Sequence, residues 1–239
     1  MTEILHIADL DFEVRRSLRR KTLGLTVDRG GELVVHAPKS ADEELLRQWI
    51  GKKILWVYRK LAEKQELRPS RRALEFVTGE SVFYLGQSYR LKIVENQVAP
   101  IVFDGEWFLL RRRARNKAGE HFREWFIRVG VGWLDTRAKL LLPRIGGGAV
   151  AVKVGDLGYR WGSCGKQGVV HFNWRLLQLP VHLIDYIVAH ELVHRIERNH
   201  TSLFWQTIER AMPDCLAREA ELEREWYAYS TFDVENRGG

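Results

Sequence analysis

Residues 190–194 read His-Glu-Leu-Val-His, and this pentad constrains the chain more than any other stretch. On a helix, two histidines four residues apart face the same way, with Cβ atoms about 5–6 Å apart. Imidazoles so placed reach one zinc ion at about 2.0–2.1 Å. Glu191 sits about 100° around the helix, close enough to touch a water at the metal without being a ligand. Ile187, Val188, Leu192 and Ile196 give the same helix an apolar face that would hold it in a core.

A catalytic zinc takes three protein ligands and keeps a fourth position open. His200 is the candidate third ligand. In an unbroken helix, six residues would turn it about 240° from His194 and carry it about 9 Å along the axis, off the metal. The helix that begins at Val181 is therefore predicted to end between the two histidines, near Arg198. Asn199 is a candidate left-handed terminator, and Thr201 or Ser202 can cap the next helix. A closed, structural zinc would need a fourth His or Cys, and Cys164 and Cys215 are the cysteines on hand.

The catalytic reading assigns roles directly. Zinc lowers the pKa of water towards about 7, and Glu191 takes the proton as that water attacks a carbonyl, then returns it to the leaving amine. The pattern does not single out a donor for the developing oxyanion, and Tyr159, Arg160 and His171 are the candidates. The reaction class is metal-assisted hydrolysis, most simply of a peptide bond.

Around this segment the chain reads as α+β. Leu23–Val27 and Glu32–Val35 flank the turn residues Asp28-Arg29-Gly30-Gly31 as a β-hairpin. Ser40 and Glu43 form a capping box ahead of one long helix carrying Leu45, Leu46, Trp49, Ile50, Ile54, Val57, Tyr58 and Leu61, closed by Pro69. Strand patterns return at Ser81–Leu85 and Tyr89–Val94. After the basic run Arg111–Lys117, a helical pattern passes Phe122, Trp125, Phe126 and Trp133 and is expected to stop before Pro143. Short strands are expected at Val150–Val154, Tyr159–Ser163 and Val169–Asn173, then helices to Tyr229. No internal repeat is visible. The expected organisation is a β-rich region over 1–110 and a mixed α/β region over 111–239. Trp49, Trp125 and Trp133 fall on apolar stripes and read as core.

At 45% hydrophobic and 29% charged, the chain can bury a core, which excludes wholesale disorder. No apolar run approaches the roughly 18 residues of a membrane-spanning helix. The first residues lack the basic and apolar regions of a secretory signal, and two cysteines cannot make a disulfide framework. The expected setting is the cytoplasm. The net charge of +7 is uneven, since residues 1–120 carry +6 and residues 121–239 carry +1. A basic first half, with runs at Arg15–Lys21 and Arg111–Lys117, fits contact with a nucleic acid or simply a solvated, aggregation-resistant surface.

Several segments together resemble the YgjP-like metallopeptidase family. They are Tyr159-Arg160-Trp161-Gly162-Ser163-Cys164, His171-Phe172-Asn173-Trp174-Arg175-Leu176, Asp185-Tyr186, the His-Glu-Leu-Val-His pentad, Asn199-His200 and Phe204-Trp205. In the first half, Arg15-Arg16-Ser17, Arg19-Arg20-Lys21, Ala37-Pro38, Tyr84-Leu85-Gly86 and Tyr89-Arg90-Leu91 extend the likeness, which spans about residues 12–225. The resemblance implies a zincin-like second half, a metal-dependent hydrolase acting on protein or peptide, one zinc ion held by His190, His194 and His200, and Glu191 as catalytic base. The arrangement is also similar to SprT-like and Wss-type metalloproteases, which act on DNA-attached proteins. Metzincins carry a glycine where this chain has Glu197, and Met212-Pro213 is a poor Met-turn, so that group does not fit.

Three further roles stay open in the sequence. Val169–Asn173 is the expected sheet edge along which a peptide substrate would add as a strand, unless the segment only packs on the helix. Asp214 either orients a ligand histidine or caps a helix. The competing account of the whole chain is a nucleic-acid-associated protein with a structural or vestigial zinc site.

Overall fold

The computed structural model describes residues 3–27, 31–67, 74–158, 160–165, 167–229 and 231–232. The expected turn at Asp28–Gly30, the closing Pro69 and the candidate donor Tyr159 lie outside them. By internal contacts the chain forms two compact units, Met1–Ser70 and Arg71–Gly239.

The first unit is a four-stranded sheet backed by helix. Strands β1 (Glu3–Ile7), β2 (Leu10–Ser17), β3 (Gly24–Val27) and β4 (Leu33–Pro38) lie in the order β1-β2-β4-β3. The expected hairpin is present, with Leu25 opposite Val35. Phe12, Val14, Leu33 and Val35 meet Leu46, Ile50 and Val57 in one apolar core. The helical stripe runs as expected but is interrupted, giving α1 (Glu43–Gly51) and α2 (Ile54–Leu67). Gly51, with its high backbone freedom, ends the first helix, and Lys53 N–H bonds Ile50 O across the break. The N-cap is Asp42, whose carboxylate accepts Leu45 N–H at 2.7 Å, in place of the expected Ser40.

The second unit opens with strands β5 (Ser81–Tyr84), β6 (Gln87–Val94), β7 (Ile101–Phe103) and β8 (Trp107–Arg111), ordered β5-β6-β8-β7. This repeats the topology of the first sheet: hairpin, parallel pairing, hairpin. The basic run Arg112–Lys117 forms a 3₁₀ turn leading into α3 (Ala118–Ile145). Pro143 sits in the last turn of α3, where its missing N–H removes one bond only, and the helix stops at Gly146 (φ 95°).

The change near residue 110 is one of secondary structure, not of packing. Val82, Leu91 and Phe108 share a core with Phe122, Trp125 and Phe126 of α3. The β5–β6 turn also bonds through its backbone to the segment before the next helix, Leu85 N–H to Leu177 O and Gly86 N–H to Gln178 O. A Cβ on Gly86 would stand 2.7 Å from Pro180 Cα, so this close approach depends on the glycine. The compact units therefore divide near residue 70.

Strands β9 (Val152–Gly155), β10 (Gly162–Cys164) and β11 (Val170–Asn173) form a three-stranded sheet ordered β10-β11-β9. The strand expected at the edge, β11, is central, because it pairs with β10 on one side and β9 on the other. Helices α4 (Val181–Val193), α5 (Ser202–Ala211) and α6 (Cys215–Tyr229) complete the unit. Leu183, Ile184, Ile187, Val188 and Leu192 of α4 are buried in the same core as Phe172 and Phe204. Trp125 is buried as expected, while Trp49 and Trp133 are partly buried against their cores. Among the described residues, no helix is long and apolar enough to cross a membrane.

Candidate metal centre

Helix α4 ends at Val193, earlier than the spacing suggested, and His194 is its C-cap in right-handed helical geometry. The chain then tightens, with Ile196 and Glu197 N–H both bonding Val193 O. Asn199 is not left-handed: the described non-glycine residues with positive φ are Ala8, Phe76 and Leu85. Thr201 is the N-cap of α5, as one of the two expected caps. An early helix end followed by a capped restart brings His200 back beside its partners.

The three imidazoles converge. His190 Nε2 lies 3.2 Å from His194 Nε2 and 3.0 Å from His200 Nε2, and all three residues offer ligand atoms within 4.8 Å of one another. Ligands at 2.0–2.1 Å in a tetrahedron stand about 3.3 Å apart, so the two spacings from His190 suit one metal ion. Hydrogen bonding alone does not account for it, since a single ring N–H on His190 cannot donate to both neighbours. His194 Nδ1–H donates to Glu197 O at 3.1 Å, which leaves the Nε2 lone pair facing the cluster. Burial, followed by the neighbouring histidines, pushes His190 down to about 3, and burial lowers His194 as well. Neutral imidazoles are the form that binds metal.

Around the cluster, Tyr186 stands edge-on to His190 with ring centroids 6.0 Å apart. Burial and a hydrogen bond with Glu219 raise its phenol well above the usual range, so it stays protonated. Glu191 is only 7% exposed, and burial pushes its carboxyl up to about 7 against the opposing charge of Arg160. Its carboxylate lies against β10, where a Cβ on Gly162 would come 2.6 Å from Glu191 Cγ.

Asn173, fully buried, holds the approach to β10. Its Nδ2 donates to Gly158 O and Arg160 O, both at 2.9 Å, and its Oδ1 accepts Arg175 N–H. Asn173 falls within the segment His171–Leu176 that carries the family resemblance, which by itself implies no role for it. An Asn closing a strand and capping the 3₁₀ turn that starts at the next residue is the available signal. Arg137, on α3, belongs to no motif in the sequence. Its Nε bonds Asp185 Oδ1 at 2.8 Å and its Nη2 bonds Oδ2, fastening α4 to α3.

Other expected residues fall elsewhere. Gly162 pairs with Phe172, and alternation puts Ser163 and His171 on the opposite face of the sheet, away from Glu191. His171 is therefore not a donor to this site. Asp214 bonds Arg218 at 2.9 Å near the start of α6 and does not orient a ligand histidine. Cys164 and Cys215 are free thiols. Burial, then the charge of Glu191, raises the Cys164 thiol, so it is no activated nucleophile.

The basic runs are largely engaged by the chain itself. Arg15 bonds Glu13, Arg16 bonds Glu3, and Arg20 bonds Thr22 O. Arg111 donates to Val98 O, Arg112 pairs with Glu95, and Arg115 donates to Glu75 O. A cavity of about 410 Å³ beside Arg111 and Arg113 also contains Glu95, Asn96 and Gln97 and is lined by none of the three histidines. The nucleic-acid account gains no observation here beyond net charge.

Residues 21–225 match the family described as YgjP-like, metallopeptidase domain. No curated protein matches the chain. Among solved structures, the crystal structure of the metallopeptidase zymogen of Pyrococcus abyssi abylysin is similar over 37% of this chain and 90% of that one, at 22% identity and a TM-score of 0.35.

Proposed function

Because the chain belongs to the YgjP-like metallopeptidase family, a family of metal-dependent hydrolases, we propose that it is a zinc peptidase in which His190, His194 and His200 hold one zinc ion and Glu191 is the general base. The observation that carries this reading is the convergence of three imidazole nitrogens, with the buried carboxylate of Glu191 on the helix that bears His190 and is capped by His194. Three protein ligands leave one position of a tetrahedral ion for reaction chemistry. Zinc, when bound, supplies a Lewis acid that acidifies water and polarises a peptide carbonyl.

The chain's own groups do the rest. The Glu197 carbonyl keeps the proton of His194 on Nδ1, so that Nε2 serves as ligand. Glu191 accepts a proton from the attacking water and delivers it to the amine nitrogen as the peptide bond breaks. Burial raises the proton affinity of its carboxylate, which suits a group that must both take and return a proton near neutral pH. Strand β10 is the sheet edge packed against α4, so an extended peptide would add there, antiparallel or parallel, rather than on β11. Two free cysteines accord with a cytoplasmic setting.

The test is metal content alongside cleavage. Wild-type protein is expected to hold one zinc per chain, to cleave casein or a peptide library, and to lose and regain cleavage with chelation and zinc addition. His194→Ala is expected to hold less than a tenth as much zinc at limiting metal. Full cleavage by the metal-stripped protein would overturn the reading.

A further inference from the structure

Phe204 is fully buried and its ring touches all three histidines of the cluster. Its centroid lies 4.9 Å from that of His190, 4.7 Å from His194 and 4.7 Å from His200. The histidine centroids are 4.8, 4.9 and 4.7 Å from one another. Four rings thus stand at the corners of a nearly regular tetrahedron. Three come from the candidate ligands and the fourth has no ligand atom.

We infer that Phe204 is a positioning residue for the metal centre, a shared aromatic floor that sets the orientation of all three ligand imidazoles at once. The inference rests on the reading of those histidines as metal ligands. An imidazole on a free side chain can rotate about two bonds, and a ligand set binds metal strongly only when that rotation is already restricted. His190 and His194 lie at the end of one helix and His200 in the following turn, so no single secondary element fixes them together. One buried ring in contact with each supplies that common reference.

The local sequence explains why the ring is there. Thr201 caps α5, and its Oγ1 accepts Phe204 N–H at 3.4 Å. Counting from this cap, Phe204 is one turn beyond His200, so its ring returns to the histidine it follows. Neighbouring Trp205 stands edge-on to Phe204, with ring centroids 5.4 Å apart, and tilted to His200 at 6.1 Å, and backs the same corner. A flexible aliphatic side chain would fill the volume but would not hold three flat rings at fixed tilts.

The experiment compares wild type, Phe204→Leu, Phe204→Met and Leu134→Ala. Leu134 is a fully buried core residue of α3, chosen as a destabilised control. Each protein is titrated with zinc against a competing chelator, its visible spectrum is recorded with cobalt(II) in place of zinc, and the metal-free protein is melted. Both Phe204 variants are expected to bind zinc about tenfold or more weakly, by analogy with other groups that support ligands, and to show shifted or weakened cobalt bands. Leu134→Ala is expected to melt earlier with wild-type cobalt bands and zinc affinity. Wild-type affinity and bands in either folded Phe204 variant would overturn the inference, as would an equal loss of affinity in Leu134→Ala. Wild-type protein that binds neither metal would instead overturn the ligand assignment, and this inference with it.

Discussion

The carboxylate of Glu191 lies directly against the bare Cα of Gly162. A Cβ at that position would stand 2.8 Å from Glu191 Oε1 and 2.9 Å from Cδ. Gly162 lies in strand β10 without the positive φ that would itself demand glycine. Alanine there is compatible with the backbone, and what must move is the Glu191 side chain from Cγ outward. Gly162→Ala is therefore expected to change the melting temperature and zinc affinity little. Cleavage should fall about 10–100-fold in kcat/KM, since displacing a reacting group by an ångström costs that much. Wild-type cleavage by a correctly folded Gly162→Ala protein would count against Glu191 acting from its present position.

Asn173 joins the loop before β10 to the end of β11 through two hydrogen bonds from a fully buried side chain, and a third caps the turn that follows. Asn173→Ala removes the three hydrogen bonds that its side chain makes with two carbonyls and one N–H. The expected cost is about 2–3 kcal/mol, read as a lower midpoint in urea. Because the same loop leads to Gly162, cleavage by the remaining folded protein should also fall. Unchanged kcat/KM would mean that the loop is not part of the site.

Arg137 and Asp185 tie α3 to α4 with a two-pronged, partly buried pair. Arg137→Met keeps the aliphatic stem and removes the charge, leaving Asp185 without its counter-ion. The expected loss is about 2 kcal/mol of stability, with less salt sensitivity than a surface pair would have. Comparing urea unfolding of both proteins at low and high salt checks this.

How much of this could be read in the residues themselves depends on the range of the interactions. The pentad, the need for a break before His200 and the cap at Thr201 follow from helical geometry, which is local. The early end of α4 at Val193 is not legible in the pattern, because Arg195 and Ile196 are ordinary helix formers. Arg195 is instead drawn off by the carbonyls of Gly147, Gly148 and Ala149, nearly fifty residues away. The order β10-β11-β9 has the same cause. Periodicity marks three strands but not which one is central, since pairing is decided by distant backbone groups. The repeated topology of the two four-stranded sheets is invisible for a related reason: alternation marks the strands of each sheet but not which of them pair.

Zinc should stabilise the folded chain in proportion to its occupancy. At free zinc one hundredfold above the dissociation constant, the gain is about 2.7 kcal/mol. Melting of wild type is expected to rise with added zinc, whereas His194→Ala and His200→Ala should respond far less. Equal shifts in all three proteins would mean that the metal binds elsewhere.

The central claim is that Glu191 moves the proton at a metal held by three histidines. The most direct measurement is peptide cleavage by wild type and Glu191→Gln, each confirmed to carry one zinc per chain. The amide keeps the size of the side chain and removes its basicity. Cleavage by Glu191→Gln is predicted to fall about 10²–10⁴-fold with zinc content unchanged. Cleavage at the wild-type rate by zinc-loaded Glu191→Gln would contradict the account.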